Sequence, residues 1–234
     1  MTAEDPTIRS YRLRRGRMGA TTGAALDRLG VLLVPITSES LDVPDLFGRT
    51  APLVVEIGCG MGEATAAMAA ADPDRNVLAV DVHVQGLGRL LRRIEEQELT
   101  NVRVAEGDAV VLLRQMLPPG SVDEVRVFFP DPWPKARHAK RRLVQRPFVE
   151  LVADRLRRGG RLHVATDWPP YAKDIRDLLA NHPAYEVQHE GARPPHRPIT
   201  RFEQRGHDAG RPSFDLVAAT RPASHPPDLA TRPA

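Results

Sequence analysis

From Leu53 to Ala180 the chain alternates between short apolar runs and longer stretches with helical spacing, a pattern that few folds accept. Leu53–Ile57, Val77–Val82, Val102–Ala105, Val122–Phe129 and Leu162–Ala165 read as strands, short, rich in β-branched residues and bounded by turn residues. Glu63–Ala71, Gly86–Glu98, Ala109–Met116, Arg142–Arg157 and Pro170–Ala180 read as the helices between them. Apolar strands joined through helices predict an α/β fold: a doubly wound, mostly parallel sheet covered on both faces. Tyr185–His189 and Phe214–Ala219 follow with no helix expected between them, which adds an antiparallel strand at one edge. Upstream, Thr22–Leu33 reads as a helix laid against the domain, followed by a connector to about Thr50.

A chain of 234 residues with 41% hydrophobic content can bury one substantial core. The expected organisation is a single domain over 21–221, flanked by a flexible basic arm over 1–20 and a disordered tail over 222–234. The arm carries Arg9, Arg12, Arg14, Arg15 and Arg17 around two glycines, with no apolar period to hold them in a core. No apolar run approaches a bilayer span and no secretory leader is evident, so the expected setting is the cytoplasm, without a membrane. One cysteine, Cys59, excludes an internal disulfide framework and a cysteine-based zinc cluster, and no metal is expected. The net charge of +3 is modest, but the pI of about 9.4 and the clustered arginines point to a polyanionic partner.

The run Glu56-Ile57-Gly58-Cys59-Gly60-Met61-Gly62 lies where the first sheet strand turns into the first helix. Gly58, Gly60 and Gly62 permit a sharp turn and let a ligand approach the main chain at the carboxyl ends of the strands. Asp81 ends the second strand, where a carboxylate can take both ribose hydroxyls, and Gly107-Asp108-Ala109 follows the third. Dinucleotides and S-adenosylmethionine share this layout. A pyrophosphate favours neutral or basic surroundings and Gly-x-Gly-x-x-Gly spacing. The spacing here is Gly-x-Gly-x-Gly between Glu56 and Glu63, which suits a cofactor bearing an amine and a sulfonium.

The fourth strand runs into Phe129-Pro130-Asp131-Pro132-Trp133-Pro134. Prolines at 130, 132 and 134 exclude helix interior and central strand, so a rigid turn fixes where Asp131 and Trp133 point. Lys135, Arg137, Lys140, Arg141, Arg142 and Arg146 follow, with no acid between Asp131 and Glu150. Thr166-Asp167-Trp168 ends the fifth strand and brings a second carboxylate and a second indole to the same rim. Arg197 to Gly206 is polar and proline-bearing, with more donors and acceptors than a connector needs.

These residues together resemble the bacterial tRNA (guanine-N7)-methyltransferase family. The likeness rests on Glu56 to Gly62, Phe129 to Lys135, His138 with Lys140-Arg141-Arg142, Thr166-Asp167-Trp168, and Thr200-Arg201-Phe202-Glu203 with Arg205-Gly206, in order between about Arg9 and Val217. It implies a Rossmann-like class I methyltransferase that uses S-adenosylmethionine to methylate N7 of guanosine 46 in the tRNA variable loop. The oligomeric state is not read from the sequence, with a monomer favoured. The resemblance places Glu56, Gly58, Gly60, Gly62, Asp81, Asp108 and Asp131 on the cofactor, with Asp131 also catalytic. Lys135, Asp167, Thr200, Arg201, Phe202 and Glu203 fall on the substrate, and Arg137, His138, Lys140, Arg141 and Arg142 on the RNA. Departures from the family pattern are Cys59 for an aromatic, Asp81 for a glutamate, Pro169 for an acid and Arg201 for a lysine. Ala136 and Ala139 also thin the basic run.

Three other readings share parts of this pattern. A small-molecule methyltransferase leaves the two basic clusters unexplained. An NAD-dependent oxidoreductase fits the glycine spacing and its flanking acids poorly. A non-catalytic RNA-binding module does not need the cofactor acids.

Overall fold

A computed structural model describes residues 20–221. The expected tail over 222–234, and the expected basic arm apart from Ala20, lie outside the described residues. Eight strands form one sheet: β1 Leu33–Val34, β2 Leu53–Ile57, β3 Asn76–Asp81, β4 Val102–Glu106, β5 Val122–Phe128, β6 Leu156–Thr166, β7 Tyr185–Gly191 and β8 Phe214–Thr220. Their order is β1-β4-β3-β2-β5-β6-β8-β7. All pairs are parallel except those of β8, which runs antiparallel to both β6 and β7. The expected antiparallel strand is thus present, inserted next to the edge, with β7 as the edge itself.

The helices are α1 Ala20–Arg28, α2 Val43–Phe47, α3 Glu63–Ala71, α4 Val84–Glu96, α5 Ala109–Val111, α6 Arg146–Arg155, α7 Pro169–Ala180 and α8 Arg201–Asp208, with α5 continuing as a π-turn over Leu112–Met116. The sequence of α4 shows why it docks. Leu87, Leu90, Leu91 and Ile94 share one face and are buried, while Arg89, Arg92, Glu95 and Glu96 face solvent. Fully burying each leucine contributes about 1.5–3 kcal/mol. No described helix is long and apolar enough to cross a membrane.

Strand alternation sorts side chains into two layers. Leu53, Val55 and Ile57 join the larger core with Leu112, Leu113, Phe148, Val149, Tyr171 and Ile175. Val54 faces the other way, into the core built with α3 and α4. On that second face the chemistry changes across the sheet. Glu56, Glu124, Arg126, His163 and Asp215 are all buried there, a polar row crossing β2, β5, β6 and β8.

Several elements differ from expectation. The first helix stops at Arg28, before Gly30, and Leu33–Val34 is a strand paired with Val104–Ala105. The expected connector contains α2, which Asp42 caps through the Asp45 amide and Gly48 ends in the left-handed region. At five residues it is too short to show a period. Gln145 is extended and Pro147 lies in the first turn of α6, so the helix begins at Arg146 rather than Arg142. β6 starts at Leu156, six residues early, pairing Leu156 with Val122 before a register shift.

The polar row makes the fold acid-sensitive. Burial alone would raise the Glu124 carboxyl, but Arg126 and Arg75, each 2.7 Å away, outweigh it and hold Glu124 down at about 2. Because the folded value lies below the unfolded one, the stabilisation is fully present above about pH 4.5 and is lost as the pH falls towards 2. That shift corresponds to about 3 kcal/mol. Glu124→Gln is expected to unfold more readily than wild type at pH 7, with the difference shrinking at pH 3, as read by urea denaturation at about those two pH values. An equal difference at both would show that the charge is not the stabilising feature.

Candidate active site at the switch point of the sheet

The chain leaves β2 towards β3 and β4 on one side, then crosses back to lay β5 against the other side of β2. Open α/β sheets bind ligands outside the carboxyl ends of strands at such a reversal. The glycine loop follows β2 and the proline cage follows β5, so the two face one another there.

The glycine loop is held from two sides, by the end of β3 and by α4. Gly58, Gly60 and Gly62 have φ of 78°, 55° and 74°, conformations that L side chains rarely adopt. Asp81 accepts from the Gly60 amide at 2.9 Å and from the His83 amide at 2.9 Å, tying the end of β3 to the loop. Gly86 lies against the Gly60 carbonyl so closely that a Cβ would stand 2.0 Å from its oxygen. A Gly86→Ala variant must therefore push α4 off the loop, at a cost of about 1–3 kcal/mol. Its affinity for S-adenosylhomocysteine, measured by titration calorimetry, is expected to fall at least about tenfold; unchanged affinity would show that this packing does not shape the loop.

Glu56 is 3% exposed, and its Oε1 accepts from the Thr65 hydroxyl at 2.8 Å. Its Oε2 is buried without a hydrogen-bond partner among the described residues. Burial raises the Glu56 carboxyl above the ordinary range, with Arg126 and Thr65 pulling it back. A buried acceptor left unsatisfied beside a glycine loop fits a cofactor carrying a cationic amine and sulfonium. Asp108 caps α5 through the Val110 amide at 2.8 Å. Cys59 is buried, and burial together with Asp81 and Glu56 raises its thiol, so it is an uncharged packing residue of the turn. Among the described residues no cluster of three or more His, Cys, Asp or Glu is placed to hold a metal.

The cage around Asp131 is bracketed by two aromatic residues in the left-handed region, Phe129 at φ 53° and Trp133 at φ 44°. Such conformations cost on the order of 1–3 kcal/mol each and persist only where the surroundings enforce them. Here the Phe129 amide donates to the Ala165 carbonyl at 2.8 Å, and Arg142 Nε donates to the Pro132 carbonyl at 2.8 Å. Asp131 itself is exposed. Trp133 is only 8% exposed, with His138 edge-on to its ring and the Arg141 guanidinium 5.1 Å from its centre.

The basic run forms a 3₁₀ segment over Ala136–Arg141. With three residues per turn, His138 and Arg141 fall together on Trp133, and Arg137 and Lys140 fall together on the solvent side. Lys135 is exposed beside them. Arg142, expected on the RNA, is enclosed in protein instead. It is 9% exposed, pairs with Asp174 at 2.5 Å and lies 4.8 Å over the Tyr171 ring. Its bond to the Pro132 carbonyl ties it to the cage.

Asp167 ends β6 with Oδ2 held by Arg211 at 2.8 Å, and α8 approaches it so closely that a Cβ on Gly206 would stand 3.1 Å from that oxygen. Thr200 and Glu203 form a reciprocal capping box at the start of α8. Glu203, expected on the substrate, is fully buried; its carboxylate accepts from Arg197, the Ser213 hydroxyl and the Thr200 amide. Arg201 bridges to Glu63 at 2.9 Å, which also holds Arg93 at 3.0 Å, so α8 is tied to the helix that follows the glycine loop. Phe202 is 63% exposed. Arg197, fully buried, was not among the expected site residues, because sequence alone does not separate a buried arginine from an exposed one.

A family described as a putative methyltransferase matches residues 50–216. A tRNA (guanine-N(7)-)-methyltransferase of Streptomyces avermitilis is 54% identical over 215 residues, covering 90% of this chain and 74% of that protein. One from Nitrosospira multiformis is 47% identical over 213 residues, covering 90% and 93%. Among solved structures, the 16S rRNA methyltransferase KamB superposes with a TM-score of 0.57 at 17% identity, over 79% of this chain and 95% of that one. The structure of an antibiotic-related methyltransferase gives 0.54 at 15% identity, over 79% and 98%. The sheet is therefore the Rossmann-like fold of class I methyltransferases. With about half of its residues identical to such relatives over nine-tenths of its length, the chain belongs to the tRNA (guanine-N(7)-)-methyltransferase family.

Proposed function

We propose that the protein transfers the methyl group of S-adenosylmethionine to N7 of guanosine 46 in the tRNA variable loop, giving 7-methylguanosine in the cytoplasm. The observation that carries this reading is the exposed Asp131 in its rigid cage, on the strand next to the glycine loop and continuous with the outward-facing Lys135, Arg137 and Lys140. Glu56, Asp81 and Asp108 would hold the cofactor, together with the loop backbone between Gly58 and Gly62. When bound, S-adenosylmethionine supplies an electrophilic methyl group on a sulfonium.

Guanine N7 carries an in-plane lone pair and no proton, so no general base is required. The protein's contribution is alignment of N7 with the methyl group and support for the positive charge that moves onto the purine. Asp131, held by the prolines and by Arg142, is the carboxylate placed for that support. Asp167 keeps acceptor capacity beyond its one bond to Arg211, and can take the guanine N1–H and exocyclic amine. Glu203 is already engaged, which leaves Asp167 for this task. Lys135 is free to donate to O6.

A base drawn out of the RNA fold needs an aromatic face to stack on. Trp133 is covered by His138 and Arg141, whereas Phe202 is exposed on α8. Phe202→Ala is expected to raise KM for tRNA about tenfold, the equivalent of one stacking contact, with S-adenosylhomocysteine affinity unchanged. An unaltered KM would assign the stacking elsewhere. The reading as a whole is tested by comparing methyl transfer to unmodified tRNA and to the same tRNA with 7-deazaguanosine at position 46. Transfer to the first and none to the second is expected; equal transfer to both would refute N7 of that base as the target.

A further inference from the structure

We propose that Arg197 is a positioning residue for methyl transfer: its buried guanidinium locks the cage of Asp131, the rim carboxylate Asp167 and helix α8 into one relative geometry. The inference rests on the reading above and adds a residue that touches neither the reacting atoms nor the solvent.

Arg197 is fully buried and uses its whole fork. Nε and Nη2 donate to the two oxygens of Asp215, each at 2.7 Å. Nη1 and Nη2 donate to the two oxygens of Glu203 at 2.7 and 3.0 Å. Asp215 also meets His163 Nε2 at 2.7 Å, and Arg193 stands 3.7 Å from Glu203 and donates to the Arg197 carbonyl. One cation thus joins β8, β6 and the cap of α8.

The same guanidinium lies 5.4 Å from the ring centres of both Phe128 and Phe129. Phe129 is the left-handed residue that opens the cage, two positions before Asp131. A strained residue needs a neighbour to hold it, and a desolvated cation against an aromatic ring is a strong one. The other end of the clamp acts on Asp167. Arg197 holds Glu203, Glu203 caps α8, and Gly206 of α8 packs on the Asp167 carboxylate. Both carboxylates assigned to the base are therefore referenced to one buried side chain. Lysine cannot substitute, since a single ammonium has three donors and cannot present a planar fork to two carboxylates and a ring at once.

The test uses the full-length protein with Arg197→Lys, measuring steady-state kinetics on unmodified tRNA and S-adenosylhomocysteine binding by calorimetry. Misplacement of aligned groups predicts a kcat about 100-fold lower, with KM for tRNA and cofactor affinity each within about threefold of wild type. A kcat within about twofold of wild type would overturn the inference. So would a parallel loss of kcat and cofactor binding, which is what a purely structural residue gives. If Arg197→Lys does not fold by circular dichroism, Phe129→Leu leaves the ion network intact and removes only the ring contact. It is expected to lower kcat about tenfold at unchanged cofactor affinity, and Phe129→Tyr to restore it; full turnover in Phe129→Leu would overturn the inference. An inactive wild type would instead refute the functional reading on which it stands.

Discussion

Asp131→Ala is expected to lower kcat on unmodified tRNA by about 10²–10³-fold, the size of effect seen when one preorganised electrostatic group is removed from a reacting centre. Cofactor affinity is expected to fall much less, since the other residues proposed to hold the cofactor, Glu56, Asp81, Asp108 and the glycine loop, remain in place. Asp131→Asn separates charge from shape. The amide preserves the cage and the acceptor oxygen but not the negative charge, so most of the loss persists if charge support is the contribution. Wild-type kcat is expected to stay nearly flat from about pH 6 to 9, because N7 needs no deprotonation. Near-normal turnover in Asp131→Ala, or a steep pH profile that vanishes in Asp131→Asn, would contradict this role.

Affinity for tRNA is expected to fall steeply with salt. Lys135, Arg137 and Lys140 lie exposed along one turn, and among the described residues none of them pairs with a carboxylate. Each phosphate neutralised contributes about 0.7–0.9 to the slope of log affinity against log salt. Three such contacts predict about a 30-fold loss between 50 and 200 mM salt, and further basic contacts steepen it. Arg137→Ala with Lys140→Ala reduces the slope by about 1.5 and weakens binding at low salt without changing which nucleoside is methylated. Arg142→Ala is expected to behave differently: its buried side chain bonds to Pro132 and Asp174, so kcat should drop while the salt slope stays. A slope unaffected by the double variant would remove this turn from the RNA track.

The alternation of strands and helices was legible because apolar periodicity and glycine-proline punctuation agree from β2 to α7. The cage was legible too, since three prolines in five positions leave the backbone few options. Helix α8 was not, although its Thr200-x-x-Glu203 cap stands in the sequence. Its eight residues, Arg-Phe-Glu-Gln-Arg-Gly-His-Asp, carry no apolar stripe, and its stability comes from the cap and from Arg197 beneath it. The division of labour among charged residues was also hidden. Arg142 and Arg141 are adjacent in sequence, yet one is sealed under the cage and the other lies over Trp133. Glu203 and Asp167 both fit the edge of a guanine on paper, and only burial shows that Glu203 is committed to Arg197.

The central claim, that this geometry delivers a methyl group to guanine N7 in the tRNA variable loop, is tested most directly by mapping the product. Unmodified tRNA incubated with the protein and S-adenosylmethionine, then digested and analysed by mass spectrometry, should contain 7-methylguanosine at position 46 and no other new methylated nucleoside. A methyl group on another base, on a ribose, or nowhere in the tRNA would contradict the account.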